Sequence, residues 1–337
     1  MKKDPRHDES ASAGYVSTGH LPPSELVVRF VFEAYERFKE NSEGENSTVY
    51  PALARISSRL FGICIADTAG KIHSVGNSDC EFTIMSVSKP FVFALVCQAL
   101  GVETVREKIG LNATGYPFNS LAGIERSPDG RTNPMVNSGA IATTSLVPGV
   151  TVEEKWSFIH EGLSRFAGRA LSLDKEIYQC AAETNFRNQS IARLLQSYGR
   201  IYLDPAQAVD LYTRQCSLIV TAKDLAVMGA TLADGGVNPV SKERVIDASV
   251  CHYTLAAMTT AGLYENSGDW LFDVGLPGKS GISGGIVTVS PGKGGLGTFS
   301  PLLDKTGNSI RGQLTAQFLS QKLGMDLFAS KPVLETD

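Results

Sequence analysis

Apolar positions along the chain change period several times, and each change marks an element. From Ser24 onward Leu26, Val27, Phe30, Val31, Ala34, Tyr35 and Phe38 recur at intervals of three and four, which predicts an amphipathic helix capped by Ser24. Residues 1–23 before it are polar and close on Pro22-Pro23, the pattern of a disordered arm. Residues 60–65 and 71–75 are short β-rich runs, and Asp67-Thr68-Ala69-Gly70 between them predicts a hairpin. From Ser86 to about Ala257 the signals are nearly all helical, with capping boxes at Thr151-Val152-Glu153-Glu154 and Thr221-Ala222-Lys223-Asp224. Strand signals return at 285–289 and 295–299 around Ser290-Pro291-Gly292-Lys293, a second hairpin, and 308–323 reads as a closing helix.

Helix, strands, helices, strands, helix in that order predicts an α/β (α+β) domain over residues 24–325. One sheet is assembled from both ends of the chain, 24–80 and 280–325, around a helical lobe at 86–275, and 326–337 form a tail.

Composition narrows the function. Hydrophobic residues make up 42% of the 337, enough for a large core, and 31 Lys plus Arg against 35 Asp plus Glu leave a net charge of −4. A duplex binder normally carries a basic face, so a nucleic-acid partner is not expected. The longest apolar run, 91–97, falls far short of the roughly 18 to 20 residues of a membrane span. Met1-Lys2-Lys3 is followed by no apolar stretch of a secretory signal, so a cytoplasmic location is expected. The six cysteines and five histidines are scattered, with no C-x-x-C pair and no ligand spacing, which predicts that most of the thiols are buried and reduced and that no metal site is present.

Two familiar motifs lead nowhere. Gly292-Lys293-Gly294-Gly295-Leu296-Gly297 matches a dinucleotide fingerprint but runs into Thr298-Phe299 rather than opening a helix, so a hairpin turn is the better reading. Gly278-Lys279-Ser280 resembles the end of a phosphate loop, yet Asp273 stands where its first glycine belongs.

Ser86-Val87-Ser88-Lys89 is the informative pattern. It lies where the strand-like Phe82-Thr83-Ile84 meets an apolar helix, and residues three apart share a helix face, so the Lys89 amine can reach the Ser86 hydroxyl, whereas Ser88 projects elsewhere. Desolvation at the positive end of a helix would lower the amine's pKa toward neutrality, which a base needs. Pro90 is tolerated in the first turn. A second element, Lys279-Ser280-Gly281 before a strand, accompanies S-x-x-K in penicillin-binding proteins and serine β-lactamases. Together they point to acyl transfer by a serine.

Several further stretches carry a closer resemblance. They are residues 82–89, Pro117-Phe118-Asn119-Ser120, residues 133–141, Phe186-Arg187-Asn188, Tyr212 with Cys216-Ser217, and Lys279-Ser280-Gly281 with Gly284-Gly285-Ile286. In these the sequence resembles the bacterial-type, serine-dependent glutaminases, from about Ser24 to Leu323. The resemblance implies a β-lactamase-like fold, hydrolysis of L-glutamine without metal or cofactor, and a homo-oligomer of two or four copies. It implies Ser86 as nucleophile, Lys89 as its proton partner and Tyr212 as the group that moves a proton to ammonia. Tyr264 would line the pocket, Asn137 and Asn188 would bind the substrate's amino-acid end, and the N–H groups of Ser86 and Ile282 would form the oxyanion hole.

The departures fall in the pocket. Ala181, seven residues before Asn188 and so on its face in a regular helix, stands where the family carries a glutamate for the substrate's α-ammonium; Glu183 would point roughly 140° away. Met85 replaces the usual glutamine and Val49 a tyrosine. Beside L-glutamine hydrolysis stand three other readings: an amidase for a carboxamide lacking a free α-ammonium, a non-enzymatic divergent member, and a penicillin-recognising enzyme, the last weakened by the stretches outside the shared motifs.

Overall fold

The structure, a computed structural model, describes residues 19–329. Its main sheet is formed by β1 (Gly62–Asp67), β2 (Ile72–Gly76), β6 (Gly278–Ser280), β7 (Gly285–Ser290) and β8 (Gly294–Phe299), in the order β2-β1-β8-β7-β6 and antiparallel where paired. The strand from the first hairpin thus lies against the last strand of the chain, with Cys64 opposite Gly297.

Alternation along β1 explains the layers. Ile63 and Ile65 face one core with Val27, Val31 and Ala34 of the helix Ser24–Phe38 and with Ala316 and Leu319 of the helix Ile310–Lys322. Cys64 and Ala66 face a second core that includes Leu225 and Ala226 of the helix Ala222–Ala233 and runs on into the helical lobe. Both faces are therefore covered, and β7 and β8 are buried throughout. The glycine-rich stretch 292–297 acquires its meaning here. A Cβ on Gly295 would lie 2.3 Å from the Ala226 carbonyl oxygen and one on Gly297 2.1 Å from that of Ala222, so bare backbone lets this helix lie directly on β8.

Several expectations need correction. Ser24 is inside its helix; Pro23 is the N-cap, its carbonyl accepting from Leu26 and Val27 N–H. The arm reading for 1–18 lies outside the described residues, while Leu21, from the remainder, packs against the first core, because an apolar side chain there has a hydrophobic surface to cover. The strands begin and end within two residues of the predicted runs, and the last helix starts at Ile310 behind Ser309, whose hydroxyl accepts from Gly312 N–H. The lobe is not wholly helical. β4 (Ser172–Leu173) and β5 (Leu218–Val220), too short to show a period in the sequence, join β3 (Phe82–Thr83), the strand-like stretch before the lobe, in a three-stranded sheet. Both capping boxes form as read, Thr151 with Glu154 and Thr221 with Asp224. All six cysteines are free, Cys64, Cys97 and Cys251 buried and the other three partly exposed.

The small sheet matters because it aims the S-x-x-K segment. β3 pairs with β5, and Ile84 N–H continues the ladder to the Leu218 carbonyl at 2.8 Å. Phe82 stacks on Phe299 of β8 with ring centroids 4.1 Å apart, locking the small sheet to the large one.

Candidate active site

Directly after β3 the backbone makes a single 3-10 turn, Met85–Val87, and enters the helix Ser88–Leu100. Met85 is in the left-handed region at φ 48°, an unfavourable conformation for a residue with a side chain, and the Ser88 hydroxyl fastens it by donating to the Met85 carbonyl at 2.8 Å. This kink brings Ser86 to the wall of a cavity of about 220 Å³. Side chains three apart eclipse in a 3-10 turn, so Lys89 follows Ser86 on one side.

Lys89 is 1% exposed. Its Nζ donates to Asn137 Oδ1 at 2.8 Å and to the Met135 carbonyl at 3.3 Å, not to Ser86 as the spacing suggested. These acceptors, at the start of the helix Asn137–Ser145, satisfy the amine, and the Ser86 hydroxyl lies instead against the Tyr264 phenol. Burial lowers the Lys89 pKa to about 7.

An ammonium group can only donate, and that fixes the direction of a whole row of side chains. Asn137 turns its carbonyl to Lys89 and also accepts from the Tyr212 hydroxyl at 3.3 Å. Its amide nitrogen then donates to Asn188 Oδ1 at 2.9 Å, Asn188 donates to Asn185 Oδ1 at 2.6 Å, and Asn185 donates to Thr213 Oγ1 at 2.9 Å. Thr213 ends the run on the Val209 carbonyl. Asn137, expected to bind substrate, therefore gives its carbonyl to the Lys89–Tyr212 junction and keeps only an N–H for the cavity. Burial holds the Tyr212 phenol well above its usual range, so it remains protonated.

On the other side of Ser86 sits β6. Lys279, fully buried, donates to the carbonyls of Gly262 and Ser280 at 2.8 and 2.7 Å, and its amine lies 4.3 Å from the centre of the Tyr264 ring. Burial and the neighbouring Lys89 push its pKa well below the lysine range. Tyr264, itself at φ 56°, is not in the cavity wall as expected; its ring packs on Phe118 and its hydroxyl contacts the Ser280 carbonyl and Ser86. The next turn carries Ile282, which does line the cavity. Its backbone N–H has no hydrogen-bond partner among the described residues, and Ser283 ties this turn to β3 through a 2.6 Å bond to the Thr83 carbonyl.

Ser86, Tyr212, Asn137, Asn188 and Ile282 thus share one cavity, with Lys89 and Tyr264 immediately behind it. Ala181, Met85 and Val49 line it as well. Ala181 and Asn188 do so although the helix between them is broken: Lys175–Thr184 ends and Phe186–Ser197 begins at Asn185, so the regular-helix argument is replaced by a bend. Glu183 is exposed and outside the wall. Five lining residues were not named from sequence, Tyr50, Ile177, Thr184, Asn185 and Thr213, while Arg187 and Cys216 stood in noted stretches without a role. Tyr50 immediately follows Val49, and Arg187 stands inside a stretch already noted, so proximity was the available signal. Among the described residues no three His, Cys, Asp or Glu side chains converge to hold a metal ion, and no helix is long and apolar enough to cross a membrane.

The sequence model of the family described as Glutaminase matches residues 44–328. The chain belongs to the glutaminase family. A glutaminase 2 of Yersinia pestis is 70% identical over 321 residues, 95% of this chain and 94% of that protein. A glutaminase of Colwellia psychrerythraea is 44% identical over 91% of this chain and 99% of its own. Among solved structures, one described as probable glutaminase ybaS superposes with a TM-score of 0.90 at 42% identity, over 92% of this chain and all of that one. A Bacillus glutaminase does so with 0.81 at 28% identity, over 91% and 100%. The fold is the β-lactamase-like fold of the glutaminases, and the protein is an amidohydrolase.

Proposed function

We propose that the protein hydrolyses the γ-carboxamide of glutamine to a carboxylate and ammonia through an acyl-enzyme on Ser86. The observation that carries this is a cavity-facing serine beside a fully buried lysine whose pKa, at about 7, leaves the amine free to take a proton at neutral pH. Ser86 Oγ, steadied by Tyr264, attacks the amide carbon and its proton passes to Lys89. The carbonyl oxygen becomes an oxyanion facing the N–H groups of Ser86 and Ile282. As the C–N bond breaks, the leaving nitrogen takes a proton from Tyr212, the tyrosinate takes back the one that Lys89 received from Ser86, and ammonia departs. Water then cleaves the Ser86 ester, giving the acid and free enzyme.

Residues 24–325 act as one catalytic domain on a small-molecule substrate. The same reading places the protein in the cytoplasm. Assembly into a homo-oligomer is part of the same reading. Ammonia release from L-glutamine, with detection by mass of an acyl adduct on the Ser86 peptide, tests the reading. Full activity in Ser86→Ala would refute it.

A further inference from the structure

The cavity wall is charged in one direction only. Arg187 is its single formally charged side chain, and none of its lining residues is an aspartate or glutamate. Behind the wall stand two buried amines, Lys89 and Lys279, neither of which can serve an ammonium as counter-charge. Ala181, almost wholly buried, contributes only a methyl group. An ammonium entering here would lose its water and meet no counter-charge, whereas a carboxylate would find donors. Arg187 Nε is engaged by the Asn119 carbonyl at 2.8 Å, which leaves the terminal N–H groups, and Asn137 offers an N–H but no carbonyl.

The cavity is also not closed. Val49, Phe118 and Ile282 line both it and a second cavity of about 730 Å³, bounded by residues 44–49 and 303–307. Because Arg187 is hydrogen-bonded to the residue after Phe118, the guanidinium sits beside this passage. A substituent on the carbon that bears the carboxylate therefore has a route outward.

Resting on the amidase reading above, we propose that the preferred substrate is a glutamine whose α-nitrogen is acylated, its carboxylate held by Arg187 and its acyl group in the outer cavity. A C-terminal glutaminyl residue of a short peptide belongs to this class. The bond broken is still the C–N bond of the γ-carboxamide, with water as the second reactant and ammonia as the product, and the acyl group is retained.

The test compares kcat/KM for ammonia release from N-acetyl-L-glutamine, glycyl-L-glutamine, glutaramate and L-glutamine. The two acylated amides are expected to exceed L-glutamine by about ten- to a hundredfold. Glutaramate, uncharged at this position but with nothing to place in the outer cavity, should fall below them. A wild type that prefers L-glutamine, or that turns over glutaramate as well as the acylated amides, overturns the proposal. Ammonia from none of the four would sink the amidase reading itself. Ala181→Glu should raise kcat/KM for L-glutamine by about tenfold and not that for N-acetyl-L-glutamine; a gain for both alike also overturns the proposal. Should that variant misfold, the wild-type ranking alone decides.

Discussion

Lys89 Nζ and Asn137 Oδ1 are 2.8 Å apart, and this contact orients every amide as far as Thr213. Replacing Asn137 by aspartate keeps the shape and sets a negative charge against the amine, which favours its protonated form. Asn137→Asp should therefore move the rising limb of kcat/KM against pH upward from about 7 by at least one unit. A limb that stays in place would remove Lys89 as the group that controls it.

Ser86 and Ser88 separate chemistry from support. Ser86→Ala should abolish ammonia release, whereas Ser88→Ala removes the bond to the Met85 carbonyl. The latter should cost about 1 kcal/mol of stability and slow turnover without ending it. Equal activity losses in the two, at equal stability, would contradict this division; denaturant unfolding with parallel kinetics reads both.

For Lys89 the sign of the pH effect follows from burial. The folded state lowers the amine from 10.5 to about 7, so between these values the unfolded chain binds the extra proton and stability rises with pH. Below about 7 the burial cost is complete. Lys89→Met should be inactive, and its melting temperature relative to wild type should be highest at or below neutral pH and decline as pH rises toward 10.5. A difference independent of pH would show that the amine is not displaced by folding.

At Gly297 a methyl group would meet the Ala222 carbonyl oxygen. Gly297→Ala should force the helix off β8 and destabilise the fold by about 1–3 kcal/mol. Because β8 pairs with β7 and β7 with the Lys279 strand, activity should fall too, measurably before unfolding. An unchanged melting temperature would exclude this packing role.

How much of this was legible in the sequence depends on the distance over which each feature acts. The S-x-x-K turn, the two capping boxes and both main-sheet hairpins are local, so spacing between neighbours was enough. Contacts between distant residues were not legible in the same way. Nothing in the Ser86 region says that Lys89 will be claimed by a residue 48 positions on, or that Tyr264 will take its place beside Ser86. The bend at Asn185 carries neither glycine nor proline, and the three-residue β5 is too short to show alternation. Resemblance pointed to Asn137 and Tyr264, while packing decided that Asn137 turns an N–H to the cavity and that Tyr264 stands behind its wall.

The strand order β2-β1-β8-β7-β6 has a consequence for synthesis. Ser86 emerges from the ribosome long before Lys279, and β1 waits through the entire helical lobe for its partner β8. Until then β1 has only β2 on one edge, and the helix that will lie on β8 has no strand to cover it. Such long-range pairing is slow, and the waiting surfaces invite aggregation. A nascent polypeptide halted before β6 would hold Ser86 but neither Ile282 nor the buried Lys279, so by the proposed mechanism the growing protein stays catalytically silent until its final strands are made.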